Sequence, residues 1–130
     1  MNIKWNKVAS ALALIIGAMA IYAGGQVLLG HIPGYYVIDW LPVYNFSVGV
    51  ITFFFTTIIL WRNGKYALTA AIATLGVHSL VMIILLTAYR SVVAADSTRA
   101  MTIRIVVWIV ILGLMIIQSR RNKTGQEPGE

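Results

Sequence analysis

The sequence predicts an all-α membrane protein: four transmembrane helices in an antiparallel bundle, with both ends on the cytoplasmic side. Three observations carry this. The chain has 130 residues, of which 59% are hydrophobic and 11% charged, whereas soluble domains carry roughly 25% charged residues. Its apolar residues fall into four runs of about the 20 residues that a helix needs to cross ~30 Å of hydrocarbon. Its Lys and Arg residues favour the ends that an even number of spans places on one side.

The first span is expected over residues 8–29. It carries Ala9, Ala13, Gly17, Ala20 and Gly24 at spacings of three and four, a pattern that lets helix backbones approach closely. Met1 to Lys7 and Ala18-Met19-Ala20 also fit a signal peptide with its cleavage site. A signal core, however, is ~7–15 residues, and this run continues to Leu29, so a retained helix is expected. The second span is expected over 42–61, with Pro42 in the first turn, where its missing N–H is harmless. The connection Arg62-Asn63-Gly64-Lys65 is a tight turn in which Asn-Gly supplies positive φ, so the second and third helices are expected to pair. The third span is expected over 66–88. The fourth is expected over 97–118, with Asp96 or Ser97 as N-cap. Residues 1–121 thus form one transmembrane domain, and 122–130 a disordered polar tail.

With the N-terminus in the cytoplasm, the inside holds Lys4, Lys7, Arg62, Lys65, Arg120, Arg121 and Lys123, and the outside Arg90, Arg99 and Arg104. That bias predicts a multi-pass protein of the inner (cytoplasmic) membrane. The first outer loop, Gly30 to Leu41, has no Lys or Arg, and its Tyr35, Tyr36 and Trp40 suit the interface. The net charge of +6 therefore reads as topology and contact with anionic lipid, not as a nucleic-acid surface.

Ionisable groups inside a span are expensive and point to function. There are two, His78 and Arg104; the four acids, Asp39, Asp96, Glu127 and Glu130, lie outside the spans. Counting the rise per residue, His78 is near the midplane, Arg104 ~7 Å outside it, and Asn45 and Gln26 ~10 Å outside it. Tyr22 and Tyr44 share that outer half. Tyr22 and Gln26 are four apart on the first helix, and Arg104 and Trp108 on the fourth. Asn45, Gly49, Thr52 and Thr56 share a face of the second. If all these faces point inward, His78, Arg104, Asn45, Tyr22, Gln26 and Trp108 line a polar cleft open to the outside. Each has an ordinary alternative: Arg104 snorkelling to headgroups or pairing with Asp39 or Asp96, His78 bonded to Thr74, a backbone carbonyl or Asn45, threonines bonded to their own helix, and Asn45 as helix–helix glue.

Several chemistries are excluded. There is no cysteine, hence no disulfide, thiol nucleophile or thiolate metal site. No span carries the buried glutamate on which a proton-coupled exporter of the small multidrug type depends. His31 is ~15 Å or more in depth from His78, which rules out a shared haem iron. No His/Glu pair offers a metal site, no catalytic residue stands out, and no cofactor is indicated. Three readings follow in order: a non-enzymatic accessory or structural subunit working through a membrane partner or as a homo-oligomer; a binder or carrier of an amphiphile, quinone- or lipid-like; and a redox or enzyme subunit using His78.

Overall fold

The computed structural model describes residues 4–31, 34 and 38–123. They form four helices, each long and apolar enough to cross a membrane: α1 (Trp5–Leu28), α2 (Leu41–Arg62), α3 (Ala67–Thr87) and α4 (Ala95–Lys123). The protein is thus an all-helical multi-pass membrane protein whose outer surface is lipid-facing. Ile15, Leu80, Ile83 and Ile109 are more than half exposed, as expected where hydrocarbon is the solvent. The helix bounds lie within a few residues of the predicted spans, except that α4 continues to Lys123, two residues into the predicted tail. Tyr35, Tyr36 and Thr124 to Glu130 fall outside the described residues.

Local chemistry sets the helix ends. Pro42 occupies the first turn of α2, and Asp96 the first turn of α4, where a carboxylate offsets the positive end of the helix dipole. Between α2 and α3 the positive φ falls on Asn63 (51°), not on Gly64. Its N–H closes α2 on the carbonyls of Ile59 and Leu60.

The bundle is organised around α1, which packs against α2 along its length and against α4, while α3 packs on α4. The expected α2–α3 pairing is close mainly near the shared turn; the main partner of α2 is α1. The small-residue stripe explains why. A Cβ placed on Gly24 would stand 2.6 Å from both Phe46 N and Pro42 O, and one on Gly49 would stand 2.8 Å from Ile21 N. The two backbones therefore touch, which only hydrogen side chains permit. Opposite Gly17 of α1, α2 passes through a π-helical turn at Thr52–Thr56. Such turns insert one residue into a helix. The backbone bond expected of Thr52 or Thr56 is made instead by Thr57, whose hydroxyl donates to the Thr52 carbonyl at 2.8 Å.

Trp5 N–H donates to Gln118 Oε1 (2.9 Å), so the N- and C-termini share one end of the bundle, the terminal end. There α1 caps α2. Asn6 Nδ2 donates to the carbonyls of Leu60 (3.2 Å) and Trp61 (2.9 Å), Ser10 Oγ to that of Thr57 (2.8 Å), and Lys7 Nζ to that of Trp61 (2.9 Å). Carbonyls left orphaned at a helix C-terminus gain donors this way, and the Lys7 ammonium, 3.9 Å from the Trp61 ring centroid, also suits the negative end of the dipole. Asn6→Ala is expected to lower stability by about 1–2 kcal/mol and Lys7→Met, whose bond is exposed, by less than about 1 kcal/mol. Melting temperatures in detergent check this, and equal effects would show that burial is irrelevant here.

Candidate functional site at the loop end

Two apolar clusters fill the bundle. One, toward the terminal end, centres on Ala13, Leu60, Ala71, Trp108 and Met115. The other, toward the opposite or loop end, centres on Ile38, Leu41, Val81, Leu85 and Met101. Between them lies a polar layer. Its position follows from the helices: His78 lies between Ala71 and Val81 on α3, and Arg104 between Met101 and Trp108 on α4.

Tyr44 and Asn45 are neighbours on α2 and so point ~100° apart. Tyr44 reaches α3, sharing a 2.6 Å hydrogen bond with His78 Nδ1, their rings meeting edge to face at 5.9 Å. Asn45 reaches α4, its Oδ1 accepting from Arg104 Nη1 at 2.5 Å. His78 is 3% exposed and Arg104 6%. A snorkelling guanidinium would be solvent-accessible, so Arg104 does not snorkel: it turns in toward α2. Asp96 pairs with Arg99 (3.5 Å), and among the described residues no carboxylate forms an ion pair with Arg104. Trp108, one turn below Arg104, is fully buried, and its indole N–H has no acceptor among the described residues.

Cavities surround Arg104. A cleft of about 60 Å³ at the loop end is bounded by Ala23 and Val27 of α1, Pro42 and Asn45 of α2, and Ser97 and Arg104 of α4. A void of about 10 Å³ below it touches Thr52, His78, Arg104 and Trp108. A third space, of about 120 Å³, runs between α1 and α4 along Ile16, Met19, Ala23, Ala100, Ile103 and Arg104.

Four of the six predicted site residues thus come together: His78, Arg104, Asn45 and Trp108. Tyr22 and Gln26 stand apart. Tyr22 is 71% exposed and Gln26 is half-buried. Each is two residues from Gly24, ~200° around the helix, and Gly24 is the residue that meets α2. Packing the small-residue stripe inward turns the Tyr22/Gln26 stripe outward. Thr74, one of the alternative partners of His78, instead donates its hydroxyl to its own helix at Ala70 O (2.8 Å). Tyr44, not among the predicted site residues, is the partner of His78. Counting the rise per residue sets the two apart in depth, so residue spacing carries no signal for this pair. Tyr44→Phe is expected to cost about 0.5–1.5 kcal/mol, read as a lower melting temperature; a melt equal to wild type would mean that the bond adds nothing.

No family model, curated protein or solved structure matches this chain.

A guanidinium has five N–H donors, and Asn45 occupies one of them. Asn45 and Ser97 border the same cleft and carry further donors. Asp96 also lines this cleft and pairs with Arg99 at 3.5 Å, both side chains more than half exposed. The site is donor-rich and, counting Arg99 with Asp96, carries one net positive charge. No group of three or more His, Asp or Glu side chains gathers among the described residues.

Proposed function

We propose that this protein binds an amphiphilic small molecule by its polar head in the loop-end cleft, and that it does so without catalysing a reaction. The observation that carries the reading is Arg104, a buried cation with a neutral partner and open space on either side. Burying a charge without a counter-charge is costly, and inside a membrane such a group marks a ligand or ion pathway more often than a packing device. The Lys and Arg distribution supports an orientation with both termini in the cytoplasm, in a cytoplasmic membrane. The cleft then opens in the outer leaflet.

The small-residue stripe of α1, which could serve an accessory subunit's partner, is used within the chain: Gly17 and Gly24 meet α2, and Ala9, Ala13 and Ala20 are buried. A redox or catalytic role for His78 needs a second reacting group. The ring is instead buried against Tyr44 and Trp108.

The test is mass spectrometry of lipids and small molecules retained by gently solubilised wild type and Arg104→Ala. A stoichiometric amphiphile in the wild type, lost from the variant, is the expected result. The same background lipids in both would overturn the reading in favour of a partner-binding role.

A further inference from the structure

The space around Arg104 has a direction. The loop-end cleft and the α1–α4 groove share Ala23, Ala100 and Arg104, so the two spaces adjoin, and we read them as one passage with the two alanines as its neck. Beyond the neck the groove is lined by Ile16, Met19 and Ile103. Met19 and Ile103 are themselves exposed on the lipid-facing surface. One end of the passage is thus a cation with spare N–H donors, and the other is hydrocarbon.

Resting on the ligand-binding reading above, we propose that the ligand is an anionic lipid that enters sideways from the bilayer between α1 and α4. Its oxyanion sits on Arg104 and Asn45 Nδ2, and an acyl chain lies along Met19 and Ile103. Charge complementarity selects the head. A guanidinium with no ion-pair partner among the described residues binds a phosphate or carboxylate by paired, charge-assisted hydrogen bonds, which a neutral carbonyl cannot match. The groove selects the chain, since an apolar channel open to lipid holds a hydrocarbon tail without desolvating any polar group. The two alanines make the passage possible: a larger side chain at either position fills the neck.

Purified protein in detergent, titrated with dioleoyl phosphatidylglycerol or dioleoyl phosphatidylcholine and read by native mass spectrometry, tests both halves. Wild type is expected to prefer the anionic lipid. Arg104→Gln keeps a polar side chain but is expected to weaken phosphatidylglycerol binding about 10–100-fold, to the level of the zwitterion. Met19→Trp, and independently Ile103→Trp from the facing helix, fill the groove but do not border the cleft; they are expected to weaken the dioleoyl lipid while leaving dihexanoyl phosphatidylglycerol, whose short tails do not need the groove. Equal wild-type affinity for the two headgroups, with an Arg104-dependent amphiphile still co-purifying, would overturn the anion and leave the binding reading standing. Unchanged dioleoyl binding in both groove variants would overturn sideways entry. Loss of every Arg104-dependent ligand would overturn the binding reading itself.

Discussion

Gly24→Leu is expected to prevent α1 and α2 from docking and to abolish the folded protein in detergent, while Gly24→Ala lowers stability by about 1–3 kcal/mol. Even a single methyl at this position falls 2.6 Å from Phe46 N and Pro42 O and 3.0 Å from Asn45 Cβ. Two of the three obstacles are backbone, which cannot rotate away, so the helices must separate. Separation also moves Asn45, and with it the acceptor for Arg104. Gly76→Ala and Gly113→Ala are the matched controls. Nothing lies within 4 Å of a Cβ at either position, and alanine stabilises a helix interior by up to about 1 kcal/mol over glycine. Thermal unfolding in detergent separates the cases, and a Gly24→Ala melt as high as that of Gly113→Ala would contradict the close backbone contact.

The second large effect is an asymmetry at the polar layer. Asn45→Leu is expected to destabilise by about 2–3 kcal/mol, because the Arg104 guanidinium then stays buried with no hydrogen-bond partner. Arg104→Met is expected to remain within about 1 kcal/mol of wild type. The orphaned Asn45 costs about as much as removing the buried cation returns. The double variant should recover most of the loss of Asn45→Leu alone. A buried cation whose removal is nearly free is being kept for something other than stability. If Arg104→Met instead unfolds the protein as severely as Asn45→Leu, Arg104 is structural, and the ligand reading loses its main support.

Much of the architecture is visible without coordinates. Spans expected at 8–29, 42–61, 66–88 and 97–118 match helices at Trp5–Leu28, Leu41–Arg62, Ala67–Thr87 and Ala95–Lys123. The lipid imposes a length and forbids open backbone, so the number and type of elements follow from local composition. The helix ends are less legible, since α4 continues past the hydrocarbon wherever its residues still favour helix. The π turn at Thr52–Thr56 has no signal in the residues that we can name. The outward turn of the Tyr22/Gln26 stripe is legible in the sequence. This stripe lies opposite the Gly17, Ala20, Gly24 stripe on a helical wheel, so the two cannot both face the same neighbour.

By itself, then, the sequence determined that there are four spans, that they are helical, and which polar residues lie within them, because each of these depends on one segment and its solvent. Tertiary structure alone decided that Gly24 and Gly49 lie in the α1–α2 contact, that Tyr44 serves His78, and that Asn45 meets Arg104 across 59 residues of chain. In lipid, one apolar face gains little over another from burial. Which faces meet is therefore set by close steric fit and a few hydrogen bonds between segments far apart in the chain.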